Sequence, residues 1–285
     1  DYAKAAYWYE KAAALGDSDA QVKLGVLHEN GQGVPQDYKK ARCWYQLAAE
    51  QDDSTAKYNL GLLYENGRGV PQDYAKAQYW YHKAAEQGDS EGQYNLGTKY
   101  YTGMGVPQDY EKARYWYQKS AEQGESAAQY MLGQVYYHGR GVPQDYEEAR
   151  YWYQEAAEQG LASAQNNLGA VYFSGIGVPQ DYEKAAYWYQ KAAEQGTSSA
   201  QFNLANLYKN GQGVAKDYAK AAYWYEKAAE QGDLDAQYRL GEMHLTGTGV
   251  PKDYAQAAYW TNKAYSNGDK RAEELWNKHK LWKYR

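Results

Sequence analysis

The sequence predicts an all-α fold, an α/α solenoid of 36-residue helix-turn-helix repeats, and three observations carry that expectation. Asp-Tyr recurs at Asp1, Asp37, Asp73, Asp109, Asp145, Asp181, Asp217 and Asp253, each step being 36 residues with no insertion. Self-similarity at a fixed period of this length marks stacked supersecondary units. The 285 residues hold 35 Tyr and 10 Trp but one isoleucine, Ile176, and 2 Phe, far too few β-branched residues for a sheet protein. Apolar residues in two stretches of each unit recur three and four apart, the spacing of one helical face.

Each element follows from its residues. From Tyr38 to Glu50, the residues Tyr38, Ala41, Trp44, Tyr45, Ala48 and Ala49 gather on one face of a helix. Asp37 precedes it as N-cap, and glycine follows it in most units, as Gly88 follows Gln87. The other stretch, Ser54 to Asn66, repeats Ala56, Leu60, Leu63 and Tyr64 at helical spacing behind a Ser or Asp cap. We call this type the first helix of a repeat and the Tyr38 type the second. The connector Gly67-Arg68-Gly69-Val70-Pro71-Gln72 recurs almost verbatim. Its glycine ends a helix, its valine drops toward the core and its proline blocks further helix. It has neither the third glycine of a dinucleotide loop nor a GK[ST] segment, so its role is structural.

Glycine at Gly61, Gly97, Gly133, Gly169 and Gly241 costs helix propensity of about 1 kcal/mol each, a loss that predicts close helix-helix contact. The column Trp8, Trp44, Trp80, Trp116, Trp152, Trp188, Trp224 and Trp260 should fill space between neighbouring units. Tyr7, Tyr79, Tyr115, Tyr151, Tyr187, Tyr223 and Tyr259 point away from the apolar stripe and should lie on the outer surface beside lysine stems. Residues 1 to 268 are expected to form the array, seven full units and part of an eighth. Residues 269 to 285 drop the connector and carry Ala272, Leu275, Trp276, His279 and Trp282 among Lys and Glu, the pattern of a C-terminal capping helix. Residue 1 falls at a second helix whose partner is missing, so the chain is expected to be a segment of a longer protein.

The charge balance, 31 Lys+Arg against 36 Asp+Glu for a net −5, argues against a nucleic-acid binder, whose footprint is basic. No apolar run approaches the roughly 18 residues of a membrane span. One cysteine, Cys43, offers neither an internal disulfide nor a thiolate zinc pair. The histidines His28, His82, His138, His244 and His279 are scattered without paired spacing, so no metal or cofactor is expected.

The pattern Ala-x-x-x-Leu-Gly-x-x-Tyr-x-x-Gly-x-Gly-Val-Pro-x-Asp-Tyr-x-Lys-Ala-x-x-Trp-Tyr-x-Lys-Ala-Ala-Glu-Gln-Gly, nearly intact from Ala128 to Gly160 and from Ala164 to Gly196, resembles the Sel-one-like repeat (SLR) family, relatives of tetratricopeptide repeats. The resemblance spans about residues 1 to 268. It implies a right-handed superhelical solenoid acting as a non-enzymatic adaptor for protein partners. It also implies a bacterial source, with the periplasm or export favoured over the cytoplasm. The cysteines that link every unit in some bacterial relatives are missing here.

Two function classes follow. Ser54-Thr55-Ala56-Lys57 matches the Ser-x-x-Lys arrangement of penicillin-binding proteins, which makes an envelope enzyme the alternative reading. The aligned units read Ser90-Glu-Gly-Gln93 and Ser126-Ala-Ala-Gln129, and neither Ser-Asp-Asn nor Lys-Thr-Gly occurs, so a helix start explains the match better. The favoured reading is a peptide or protein held in the concave groove that tetratricopeptide arrays place along their first helices. Variation between copies gathers there. Lys23, Asn59, Asn95, Met131, Asn167, Asn203 and Arg239 form one column, in which the asparagines can both donate to and accept from a peptide backbone. Beside it Tyr58, Tyr94, Tyr130, Phe202 and Tyr238, with Tyr101, Tyr137 and Phe173, offer aromatic anchors. The candidate partner-binding residues are thus Asn59, Asn95, Asn167, Asn203 and Arg239 with Tyr58, Tyr94, Tyr130, Tyr101 and Tyr137.

Overall fold

In the computed structural model, which describes residues 1 to 284, the chain divides into two compact units, Asp1–Gln144 and a second starting at Asp145. In the first unit the second-type helices are α1 (Tyr2–Ala14), α3 (Tyr38–Glu50), α5 (Tyr74–Glu86) and α7 (Tyr110–Ala121). They alternate with the first-type helices α2 (Ser18–Asn30), α4 (Ser54–Asn66), α6 (Ser90–Thr102) and α8 (Ser126–His138). The second unit repeats the alternation with α9 (Tyr146–Glu158), α10 (Ala162–Ser174), α11 (Tyr182–Glu194), α12 (Ser198–Asn210), α13 (Tyr218–Glu230), α14 (Leu234–Thr246), α15 (Tyr254–Ser266) and α16 (Lys270–Lys278). A 3₁₀ turn, Leu281–Tyr284, follows, and no strand occurs among the described residues. The all-α expectation and the helix bounds read from the sequence hold.

Capping accounts for those bounds. Asp37 Oδ1 accepts from the N–H groups of Lys39 and Lys40, both at 3.0 Å, and Asp53 Oδ1 accepts from Ala56 N–H at 2.8 Å. Gly67 ends α4 with φ 64° and donates to Leu63 O. The second connector glycine does different work. At Gly69 a Cβ would come within 2.7 Å of the Tyr38 backbone, so the bare glycine lets the connector lie on the start of the preceding second helix. Asp73 N–H to Tyr64 O at 2.9 Å and Gln72 Nε2 to Glu65 O at 2.8 Å then close the loop. Both glycines are used by the backbone, as a structural connector requires.

Within each unit, helices pack against their chain neighbours. In the first, Ala41, Tyr45 and Ala48 of α3 are buried against Ala56, Leu60 and Leu63 of α4. In the second, Ala221, Tyr225 and Ala228 of α13 are buried with Ala236, Leu240, Met243 and Trp260. The close approach expected at the glycine column is confirmed atom by atom. A Cβ on Gly61 would lie 2.5 Å from the Tyr81 ring, one on Gly97 2.8 Å from Tyr117, and one on Gly169 2.7 Å from Tyr189. At the chain end, Trp276 and Leu281 are buried against Leu245, Ala257 and Ala258.

Candidate partner-binding face

In four of the second helices, α3, α5, α7 and α13, a buried tyrosine reaches through the core to a polar side chain of a first helix. Tyr45 is fully buried, and its hydroxyl donates to Glu29 Oε2 at 2.9 Å; Tyr81 donates to Glu65 Oε2 at 2.6 Å. Tyr117 reaches Thr98 Oγ1 at 3.2 Å and Tyr225 reaches Asn206 Oδ1 at 2.6 Å. Burial pushes these phenols well above the ordinary tyrosine value, and the adjacent carboxylates of Glu29 and Glu65 push Tyr45 and Tyr81 further, so the hydroxyls remain donors. The sequence reading missed these links, because they join residues 16 or 19 positions apart across a helix-helix contact.

Cations from the next repeat complete the acidic pair. Arg68 Nη1 lies 3.3 Å from Glu29 Oε1, and Lys99 Nζ pairs with Glu65 Oε1. Lys99 occupies a column filled elsewhere by Leu27, Leu63, Val135, Val171, Leu207 and Met243, and it is 2% exposed. A lysine alone in an apolar column, with a glutamate 34 residues earlier, is the signal that could have found it.

The aromatics predicted to bind a partner lie half-buried on this face. The Tyr58 ring centroid is 5.9 Å from that of buried Tyr81, and Tyr94 is 5.9 Å from Tyr117. Tyr101 packs 5.4 Å from Tyr110 and 6.2 Å from Tyr117, and its hydroxyl accepts from Arg140. Tyr130 accepts from Gln134 Nε2 at 3.0 Å, while Tyr137 lies 5.1 Å from the His138 ring. Each aromatic therefore rests partly on its own scaffold while still meeting solvent.

The asparagine column behaves differently along its length. The Asn59 side chain makes no hydrogen bond among the described residues, and Asn95 Nδ2 donates to Glu91 O at 3.0 Å within its own helix. In the second unit, Asn203 Nδ2 donates to Asn166 Oδ1 at 3.3 Å, linking two repeats, and Asn166 Nδ2 lies 3.5 Å from Asn167 Oδ1. Arg239 donates to Glu242 Oε2 at 3.0 Å and lies 5.5 Å from the Tyr238 ring centre. The first unit thus carries Asn59, Asn95 and the five tyrosines on α4, α6 and α8; the second carries Asn167, Asn203 and Arg239 on α10, α12 and α14.

Other singled-out residues have structural surroundings. Lys57 Nζ pairs with Asp52 and donates to Gln87 Oε1 at 2.6 Å, and no hydrogen bond joins it to Ser54. It replaces a glutamine relay seen in other repeats, where Gln21 Nε2 donates to Ala13 O at 3.2 Å and its Oε1 accepts from Gln51 at 2.9 Å. The outer tyrosines are 47% to 54% exposed, each edge-on to the following tryptophan at 4.9–5.2 Å. In five of them the lysine one turn later lies over the ring, so these rings are covered on one side by their own helix. Cys43 is exposed, and no group of three or more metal-ligating side chains occurs among the described residues.

The repeat geometry agrees with comparison to known proteins. The Sel1 repeat profile matches residues 1–17, 18–53, 54–89, 90–125, 126–161, 162–197, 198–233 and 234–269. The chain belongs to the Sel1 repeat family. Among solved structures, a Sel1 repeat protein from Oxalobacter formigenes is 37% identical with a TM-score of 0.77, over 96% of this chain and 80% of that one. A protective antigen of uropathogenic Escherichia coli displaying an SLR fold is 34% identical over 100% of this chain and 76% of its own, with a TM-score of 0.45. A comparison with curated proteins returns no match. Sel1 repeat proteins are generally protein-interaction scaffolds and typically non-enzymatic, and the similar solved proteins come from bacteria. No helix among the described residues is long and apolar enough to cross a membrane.

Proposed function

We propose that this Sel1 array is a non-enzymatic scaffold that holds a peptide or protein segment against the exposed face of its first helices. One observation carries the reading: this face varies from repeat to repeat, yet its half-exposed aromatics already rest on buried tyrosines, as Tyr58 does on Tyr81 and Tyr94 on Tyr117. Rings held in place before binding lose little side-chain entropy when a partner covers them, which is why such aromatics dominate interfaces. The half-buried amides of Asn59 and its counterparts add backbone recognition. Replacing Asn59, Asn95, Asn167 and Asn203 together by alanine, with the helical melting curve unchanged, should weaken a partner identified with the intact protein by about tenfold or more, since each lost hydrogen bond is worth about 1 kcal/mol. Unchanged affinity rejects the assignment. The alternative envelope-enzyme reading asks Lys57 to activate Ser54, whereas Lys57 is engaged by Asp52 and Gln87; a labelled β-lactam adduct on Ser54 would restore it.

A further inference from the structure

In the first unit, the acidic positions of the face are satisfied from within: Glu29 and Glu65 each take a buried tyrosine hydroxyl and a cation from the following repeat. The aligned position in α12 carries Lys209 instead, and the nearby Tyr225 hydroxyl turns to Asn206. The Lys209 side chain is half-buried and makes no hydrogen bond or ion pair among the described residues. It lines a small cleft of about 120 Å³ with Tyr225, Arg239, Glu242, Thr246 and Thr248. Glu242 makes no ion pair with it. Both Glu242 oxygens are taken on α14 itself, Oε1 by the Tyr238 hydroxyl at 2.8 Å and Oε2 by Arg239 at 3.0 Å. Two cations against one engaged carboxylate leave the cleft one positive charge in excess, on a chain whose net charge is −5. Burial and the neighbouring Arg239 charge hold the Lys209 ammonium below its ordinary proton affinity, against a smaller opposing pull from Glu242.

We propose that this cleft is an anchor for an acidic peptide segment, with one Asp or Glu carboxylate of the partner seated between Lys209 and Arg239. The inference rests on the face proposed above and specifies the partner's chemistry. The volume suits one carboxylate, and the single excess charge suits a monoanion. Asn203 lies on the same helix as Lys209 and donates to Asn166 of the preceding first helix.

Fluorescein-labelled octaglutamate, followed by anisotropy with the full chain at low salt, tests the anchor, with labelled octaglutamine as the neutral control. Octaglutamate should bind and octaglutamine should not, although the protein's net charge repels the former. Lys209→Met should weaken octaglutamate about tenfold and Lys209→Arg should keep it within about threefold, as loss and retention of a charge-assisted contact require. Lys191→Met, on the outer face, should leave it unchanged. Equal binding of the two peptides by the folded wild type, or equal affinity of wild type and Lys209→Met, overturns the anchor. If the asparagine quartet still weakens its protein partner in either of those cases, the face stands and only the anchor falls. Loss at Lys209 with a quartet that has no effect keeps the anion site and rejects the wider face.

Discussion

Asp52 takes a backbone conformation, φ 72°, that the corresponding turns give to Gly16, Gly88, Gly124, Gly160, Gly196, Gly232 and Gly268. A side chain in that region costs about 1 kcal/mol or more, less for Asp than for most residues. A second departure sits beside it: Lys57 replaces the relay glutamine, is 5% exposed, and pairs with Asp52. The Asp52 side chain is 81% exposed, so the ion pair itself adds little. Asp52→Gly alone should therefore gain backbone freedom but leave a buried ammonium with Gln87 as its remaining partner. The double change Asp52→Gly with Lys57→Gln rebuilds the relay found at Gln21 and Gln51 and should raise stability by about 1 kcal/mol. Urea unfolding checks this: the midpoint of the double variant should exceed both wild type and Asp52→Gly at unchanged slope. A double variant no better than wild type would mean that the two departures already compensate fully.

Among elements, the controlling contact is the glycine of a first helix against the tyrosine ring of the following second helix. Ala205 occupies the glycine column in α12 and is buried in the same cluster as Tyr225, so one methyl is accommodated. At Gly61, alanine should be close to neutral, its helix propensity gain of about 1 kcal/mol set against displacement of the Tyr81 ring. Valine adds two further carbons on a β-branched, stiff side chain and should cost about 1–3 kcal/mol through overpacking. Thermal melting of the Ala and Val variants gives the comparison, and a Val variant as stable as wild type would remove the close-approach argument. This contact was legible in the sequence, because a glycine recurring inside nearly every first helix has few other causes. Helix bounds such as Tyr74–Glu86 and Ser54–Asn66 were legible for a similar reason: cap, apolar spacing and terminating glycine all agree. What the sequence hid lies between elements. That Tyr45 ends on Glu29, or that Lys99 reaches Glu65 from inside an apolar column, depends on how far one helix stands from the next. For the candidate face, residue type and column were visible, but the extent to which Tyr58, Tyr94 and Tyr101 are held by their own scaffold was not.

For the whole molecule, repetition multiplies small electrostatic effects. The caps Asp37, Asp73, Asp109 and Asp181 are held below the ordinary carboxylate range, first by the helix-start N–H groups of Lys40, Lys76, Lys112 and Lys184. A carboxyl lowered in the folded state stabilises it above the unfolded value of about 3.9 and loses that contribution as pH falls through the folded value. Asp89, Asp233 and Glu91 are shifted the other way, chiefly by burial. Their charged forms oppose folding at neutral pH, and that cost fades as pH falls through their raised values. Stability should therefore hold or rise slightly from pH 7 toward about 5, then fall below about pH 4 as the second-helix caps protonate. Asparagine caps a helix about as well as aspartate but has no charge to lose. Replacing Asp37, Asp73, Asp109 and Asp181 by Asn should leave the urea midpoint nearly unchanged at pH 7 and shrink its drop between about pH 4 and 3. An undiminished drop in that variant would place acid sensitivity outside the repeated caps, and would mean that the feature most faithfully copied along this chain serves geometry alone.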